Sequence, residues 1–382
     1  MKAAVLGFGT VGVGVYEMLQ AAPGLEAGPV FVRPGKADKP YKVSDIGKIL
    51  SDDSVEAVVE VMGGVEPAFT LVSAALKAGK HVVSSNKALV AAKGLELDAL
   101  ARENGVGFLF SAACGGAIPF LHNLALAAES DPIVSVGGIL NGTTNFMLDA
   151  MQSAGSDYAE VLAEAQRLGY AEADPTADVS GLDALRKIML ASAVAWGLLP
   201  IDGLLHEGIE SLTAADVSDF MRKGYVCRLI ASASLAESGD LCAYVQPTLF
   251  PAGAPETSVK KNFNLAKYRG VNSGDILLMG QGAGRYPTAS AVVRDLSDLR
   301  SGRRAMFPDG LRSAIADNNA ATCRYYVRTD RESASVLSFT ETEDDGSVLR
   351  GITKPVSIQF MHEIASSLRA RGKQIFFAAL EG

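Results

Sequence analysis

Cysteine is scarce. The four in the chain (Cys114, Cys227, Cys242, Cys323) lie far apart and form no CxxC pair, which argues against a disulfide framework or a zinc site and fits the reduced thiols of a cytosolic protein. Histidine is equally thin, with four scattered residues, so a metal-dependent mechanism has almost no ligands to use. Positive charge is in deficit: 35 Lys and Arg against 43 Asp and Glu give a net charge of −8, which argues against nucleic acid as a partner. No apolar run reaches the roughly 20 residues of a membrane span. The opening "MKAAVLGFGTVG" places glycines where a signal peptide needs a uniform apolar helix. These absences lead us to expect a cytoplasmic protein with neither a membrane nor a nucleic-acid partner. No repeat or low-complexity tract is visible.

What is there is a well-cored globular chain. It has 382 residues, 48% hydrophobic and 20% charged, a length that suits two domains and an appendage. In the first third, short apolar runs rich in Val and Phe ("AAVLGF" 3–8, "VEAVVEVMG" 55–63, "HVVSS" 81–85, "VGFLFSAA" 106–113) alternate with helical patterns over 10–21, 66–79 and 88–104. That alternation predicts an α/β fold with a parallel sheet covered on both faces. From about 131 the texture becomes α+β. "PIVSVGGILNGTTNF" reads as a strand and polar turn, followed by helices near 144–153 and 157–168 and a long helix over 180–197. Strands are expected within 239–280, and Pro287 begins an amphipathic helix after "GQGAG". The tail offers a strand "CRYYVRT", an acidic turn "TEDDGS", a helix near 357–371 and a last strand "QIFFAAL".

"VLGFGTVG" sets Gly7, Gly9 and Gly12 between the first strand and the first helix. In that context the first glycine permits a tight turn, the second lets a pyrophosphate approach the backbone, and the third allows close helix–strand packing. The phosphates then meet the free N–H groups of the helix N-terminus, so the candidate cofactor residues are Gly7, Phe8, Gly9, Thr10, Val11 and Gly12. Past the second strand, Arg33 comes first, Lys36 and Lys39 follow, and Asp38 lies among them. A carboxylate there suits the ribose hydroxyl of NAD, and an arginine suits the 2′-phosphate of NADP. NADP is therefore the expected cofactor, with NAD use left open.

"ADPTADVSGLDALRK" (173–187) concentrates Asp174, Asp178 and Asp183 just after Glu172 and just before Lys187. Asp183 and Lys187 stand four apart and so share one helix face. On a surface such a pair contributes only tenths of a kcal/mol. This helix, however, continues as "IMLASAVAWGLL", which is apolar nearly all round. Its polar first turns then face a cleft or an interface, where clustered acids call for a cation such as a substrate ammonium. In "SSNKALV", Ser85 and Lys87 follow a strand of the parallel sheet at its carboxyl end, where ligands bind in open α/β folds.

Through "GFGTVG", "VVEVMGG", "SSNKALVA", "GGILNGTTNFML", "AQRLGYAEADPTADVSGLDALRK" and "GQGAGRYPTASAVVRDL", the chain resembles homoserine dehydrogenases from about residue 3 to 300. The resemblance implies an NAD(P)-dependent interconversion of L-aspartate 4-semialdehyde and L-homoserine, on the route to threonine and methionine. It implies Lys187 as proton donor to the aldehyde oxygen, Asp183 as orienting acid and Lys87 as assistant. Glu172 and Asp178 would bind the amino acid's polar groups, Gly142 and Thr143 would line the pocket, and Gly284 would meet the cofactor. It further implies a Rossmann domain over 1–130, completed by 285–300, and a substrate-binding and dimerisation domain over 131–284 that makes a homodimer.

Three places depart from the family pattern. Ser111 stands where relatives often carry Glu, at the start of a loop whose carbonyls can hold a monovalent cation such as Na+. The equivalent carbonyls here belong to Ser111, Cys114, Gly116 and Ile118. Cys114 itself has no histidine at a fixed nearby position to activate it, so it is read as packing. Residues 320–382 begin and end like a regulatory ACT module, yet "RESASVLSF" lacks the usual Pro-Gly turn and the segment is short, so a degenerate ACT-like remnant is expected. Two alternatives stay open: a related dehydrogenase of another amino-acid aldehyde or alcohol, and an inactive NADP-binding sensor.

Overall fold

The computed structural model describes residues 1–236 and 238–381; Glu237, and Gly382 at the end of the expected tail segment, lie outside the described residues. The chain divides into two compact units. The first comprises Met1–Ile133, Met189–Leu199 and Tyr268–Ser313; the second comprises Val134–Ile188, Pro200–Lys267 and Ala314–Gly382.

In chain order the elements begin with β1 (Lys2–Leu6), α1 (Thr10–Leu19), β2 (Glu26–Phe31), β3 (Lys42–Val43), α2 (Gly47–Leu50), β4 (Val55–Glu60), α3 (Ala68–Lys77), β5 (His81–Ser84), α4 (Lys87–Glu103), β6 (Phe108–Leu109) and α5 (Phe120–Ala128). They continue with β7 (Ile133–Ile139), α6 (Gly142–Ala154), α7 (Tyr158–Arg167), α8 (Thr176–Val179), α9 (Leu182–Trp196), β8 (Leu198–Asp202), β9 (Leu205–His206), α10 (Ala214–Arg222), β10 (Tyr225–Leu235) and β11 (Leu241–Pro251). The last group is β12 (Phe263–Gly270), β13 (Gly274–Gln281), α11 (Arg285–Arg300), β14 (Arg312–Ile315), β15 (Thr322–Thr329), α12 (Arg331–Ala334), β16 (Phe339–Asp344), β17 (Leu349–Thr353), β18 (Val356–Ser357), α13 (Ile358–Ala370) and β19 (Ile375–Leu380).

The first unit carries a six-stranded parallel sheet in the order β3-β2-β1-β4-β5-β6. Ala3–Leu6 and Ala57–Val59 are fully buried, as strands covered on both faces must be, which explains their unbroken apolar runs. The strand order reverses between β1 and β4, and the crevice beyond their carboxyl ends is where such a sheet takes a ligand. α11 returns to pack on α1, with Pro287 in its first turn, where a missing N–H costs nothing.

The second unit is built on a sheet that runs β12-β7-β10-β11-β19-β15-β17-β16. Its centre is the antiparallel pair β10–β11, in register from Tyr225↔Pro251 to Leu235↔Leu241. No strand was assigned to 225–235 from sequence, and the reason is physical. Arg228 sits in the middle of β10, fully buried, with its guanidinium donating to the carbonyls of Cys227 (2.9 Å) and Val259 (3.2 Å). A buried charge satisfied by backbone hides the strand from any hydrophobic pattern.

The tail runs β15-α12-β16-β17-α13-β19, a βαββαβ unit whose sheet order is β19-β15-β17-β16, the ferredoxin-like arrangement. "RESASVLSF" forms the short helix α12 and the turn after it. Tyr325, Val327, Met361 and Phe377 pack as fully buried neighbours in its core. β19 also pairs in parallel with β11, so the tail's sheet continues that of the second unit.

Candidate active site

In the first unit, Gly7 leaves β1 with φ +101, and a Cβ on Gly12 would stand 2.2 Å from the Gly7 carbonyl oxygen. Both glycines are thus demanded by the turn itself. Gly9 is different: it caps α1, and a Cβ there would meet no protein atom within 4 Å. Its smallness leaves open space in front of the helix, where the first N–H groups lack intrahelical partners. That space belongs to a cleft of about 730 Å³ lined by Gly7, Phe8, Gly9, Arg33, Lys36, Asp38 and Lys42. Thr10 is exposed and Val11 half-buried in the first turn behind it. The Lys42 ammonium bonds Asp38 at 2.7 Å and holds its carboxyl below the usual range. With that acid paired, Arg33 and Lys36 leave the cleft rim positive.

At the same carboxyl edge, β4 ends on Glu60 and β5 is followed by Ser85 and by Lys87, the first residue of α4. Glu60 is fully buried. It accepts Ser84 Oγ at 2.6 Å and the Met62 amide at 2.7 Å, while burial pushes its carboxyl up. Asn86 caps α4 by accepting the Leu89 amide and donates to the Gly64 carbonyl at 2.5 Å. Lys87 is half-buried beside it. Glu60 and Asn86 sit inside motifs the sequence made conspicuous, yet only burial shows them to be the frame of this edge. Gly284 caps α11 within the same unit.

The second unit assembles a different set. Asn141 ends the turn after β7 and accepts the Thr144 amide at 2.8 Å, which caps α6. Its Nδ2 donates to Asp178 Oδ1 at 2.7 Å and to Asp183 Oδ2 at 2.9 Å. Asp183 also pairs with Lys187 at 2.8 Å, and Lys187 donates to the Leu140 carbonyl. Asp183 and Lys187 are 6% and 7% exposed, so theirs is a buried pair rather than a surface one. Burial pushes the Asp178 carboxyl up, with the Asp183 charge adding to it and Asn141 opposing. Thr143, on the first turn of α6 next to Gly142, donates to the Tyr170 carbonyl at 2.6 Å and so ties the turn to the acidic loop. Glu172 stands outside this hydrogen-bonded group and faces solvent. Asp174 is exposed as well, accepting the Thr176 amide at 3.1 Å as a turn acid. Asn141 is the central residue that the sequence reading passed over; its signal was the polar end of "GGILNGTTN", directly after a strand.

The loop from Ser111 to Pro119 belongs to the first unit. Cys114 is fully buried and Ile118 is 3% exposed. Gly115 and Gly116 turn the backbone with φ +94 and +54, and a Cβ on Gly116 would stand 2.6 Å from Gly282. Ser111 spends its side chain on Asp295: Oγ and the amide both donate to that carboxylate, the amide at 2.8 Å. Asp295 is fully buried, and desolvation raises its pKa to about 7. Among the described residues, no group of three or more His, Cys, Asp and Glu is placed to hold a metal, and no helix is long and apolar enough to cross a membrane.

Two family models match the chain: "Homoserine dehydrogenase, NAD binding domain" over residues 7–111 and "Homoserine dehydrogenase" over 119–297. The homoserine dehydrogenase of Corynebacterium glutamicum is 41% identical over 359 residues, covering 86% of this chain and 79% of that protein. That of Synechocystis is 41% identical over 318 residues, covering 78% and 73%. Among solved structures, a homoserine dehydrogenase from Thiobacillus denitrificans superposes with a TM-score of 0.88 at 31% identity, covering 100% of this chain and 98% of that one. A hyperthermophilic archaeal homoserine dehydrogenase in complex with NADPH gives a TM-score of 0.66 at 26% identity, covering 81% and 99%.

Proposed function

We infer how the chain works from one established point: it belongs to the homoserine dehydrogenase family, nicotinamide-dependent oxidoreductases that act on a CH–OH group. We propose that residues 1–130 with 285–300 form the cofactor domain and 131–284 the substrate and dimerisation domain. In this reading, Gly7–Gly12 and Gly284 hold the cofactor's phosphates and neighbouring groups, and Ser85 and Lys87 border its reactive end. Arg33 takes the 2′-phosphate of NADP, a choice supported by the positive rim left once Asp38 is paired with Lys42. The bound nicotinamide supplies the hydride that reduces the aldehyde carbon of L-aspartate 4-semialdehyde.

The protein's own residues handle the rest. Lys187 gives its proton to the aldehyde oxygen as negative charge develops there, a task for a cation held in place beforehand. Asp183 fixes the ammonium group of Lys187, and Lys87 assists as a second positive group. Asp178 and Glu172 bind the substrate's own ammonium, with Gly142 and Thr143 beside it; the solvent-facing Glu172 engages on binding. The observation that carries this reading is the buried lysine whose partner Asp183 shares Asn141 with Asp178. The carbonyls of Ser111, Cys114, Gly116 and Ile118 would hold a monovalent cation that stiffens their loop; oxygen donors suit such a hard ion, and no reaction step passes through it. A homodimer in the cytoplasm completes the proposal, supported by the family resemblance.

The test is reduction of NADP and NAD in parallel with L-homoserine, followed by absorbance. Turnover that favours NADP supports both the substrate and the Arg33 assignment. Tight cofactor binding without turnover overturns the substrate and favours a sensor.

A further inference from the structure

The second unit contains a connection that the chemistry above does not use. Arg369, near the end of α13, forms a two-pronged ion pair with Glu207: Nη1 to Oε2 at 2.8 Å and Nη2 to Oε1 at 2.6 Å. Arg369 also donates to the Ile375 carbonyl at 3.2 Å, which ties the pair to the start of β19. Glu207 is buried, and its amide donates to the Val245 carbonyl of β11 at 2.8 Å.

The segment that holds Glu207 lies directly against the turn between α8 and α9. His206 Nδ1 contacts the Ser180 carbonyl at 2.9 Å, and the Ile209 amide donates to the Val179 carbonyl at 2.9 Å. A Cβ on Gly208, between them, would stand 2.1 Å from that same Val179 oxygen. Gly181, on the other side of the contact, has φ +86 and would bring a Cβ to 3.0 Å from Val245. The two backbone segments therefore meet closely at these glycines, with the Glu210 carboxylate (Oε2 2.0 Å from the same Gly208 Cβ position) and the Val245 side chain at the edges of the contact. The clamped turn is short: Asp178 lies in α8 on one side of it, and Asp183 in the first turn of α9 on the other. Its shape sets the separation of the two acids that share Asn141.

We propose that Arg369 and Glu207 are positioning residues for the amino-acid substrate. The C-terminal βαββαβ unit, through this pair, holds the turn that sets Asp178 against Asp183. The inference rests on the substrate site proposed above. Arg369 is partly exposed (39%), so the pair's contribution to stability is screened and small. Its planar fork matters instead by fixing the direction of Glu207. The tail keeps separate anchors when the pair is cut: β19 still pairs with β11, and Arg328 Nε still bonds Asp216 at 2.8 Å. Removing Arg369 consequently changes the clamp without detaching the tail.

The test compares steady-state kinetics of Arg369→Ala, Glu207→Gln, the double variant and Arg369→Lys, with Asp178→Asn as reference, all in the full chain. We expect KM for L-homoserine to rise ~10-fold in each single variant, with kcat and KM for the nicotinamide within about 2-fold. The double variant should be no worse than either single one, since both cut the same link. Arg369→Lys should recover part of the loss, and it stands in if Arg369→Ala fails to fold. Lower thermal stability with an unchanged KM for L-homoserine would overturn the proposal, as would equal rises in both KM values. Asp178→Asn separates the two readings: if it leaves KM for L-homoserine unchanged, the substrate site is misplaced. If it raises KM while the Arg369 variants do not, the site stands and the clamp fails.

Discussion

The glycine loop of the first unit and the acidic loop of the second solve opposite problems. Around Gly7, Gly9 and Gly12 the need is room: two glycines are forced by backbone contact and the third leaves space for a ligand. Around Asp178, Asp183 and Lys187 the need is to bury charge: the two acids share one amide, Asn141, and Asp183 also pairs with Lys187. A site made by removing side chains tolerates no addition. A site made by pairing them tolerates no subtraction, because each partner removed leaves another buried and unmatched.

The sharpest way to break that contrast is Lys187→Ala. Turnover should fall by ~10³-fold, about 4 kcal/mol of transition-state stabilisation, as expected for loss of a general acid. Cofactor affinity, followed by nicotinamide fluorescence, should stay within about 2-fold. Retained turnover would remove Lys187 from its role. The opposite experiment is Gly12→Ala in the first unit. Its new Cβ would meet the Gly7 carbonyl at 2.2 Å, so the turn must shift, a strain of about 2 kcal/mol. Affinity for NADP should weaken roughly 30-fold, with KM for L-homoserine little changed. If the two variants produced the same kinetic profile, the division of labour between the loops would be wrong.

The two loops also differ in how legible they were. Gly7, Gly9 and Gly12 act through backbone geometry, which a spacing rule encodes directly, and β1, β4 and β5 show themselves as apolar runs because both their faces are buried. In the acidic loop, charge density marked the region, but neither charge nor spacing distinguishes Asp178, half-buried beside Asn141, from Asp174, an exposed turn acid. That difference is tertiary. Asn141 looks like any polar residue after a strand until two distant aspartates arrive at its amide. Glu60 was obscured in another way: within "VVEVMGG" it reads as an interruption, and only its bonds to Ser84 and Met62 show why a carboxylate ends that strand. β10 was hidden by Arg228, whose hydrogen bonds go to backbone carbonyls that no pattern displays and whose Nη2 lies 3.9 Å from Asp149.

Arg33 tests the rim of the cleft proposed for the cofactor. Replacing it with Ala should lower the NADP-to-NAD preference by about tenfold, or 1.4 kcal/mol, the size expected of one exposed charge-assisted contact with a phosphate. The effect should shrink as salt is added, because the contact is solvent-exposed. An unchanged ratio of kcat/KM for the two cofactors would transfer the discrimination to Lys36.

The smallest effect belongs to Asp295, which joins the two themes: a buried carboxylate in the first unit whose hydrogen bonds come from the Ser111 amide and hydroxyl. Its pKa in the folded chain is raised from 3.8 to about 7, chiefly by burial. A carboxyl raised in this way favours the folded state while protonated. Its contribution is therefore fully present below pH 3.8 and is lost as pH climbs through about 7. Between pH 6 and 8 that loss amounts to about 1 kcal/mol. Asp295→Asn cannot ionise, and its amide can still accept the Ser111 N–H. Thermal unfolding at pH 6 and pH 8 should thus show a stability difference in the natural chain that is larger, by about 1 kcal/mol, than in the variant. Equal differences would mean that Ser111 and its surroundings hold the carboxylate ionised across this range. Asp295 would then resemble Asp183 of the second unit, a buried charge whose neighbours compensate it.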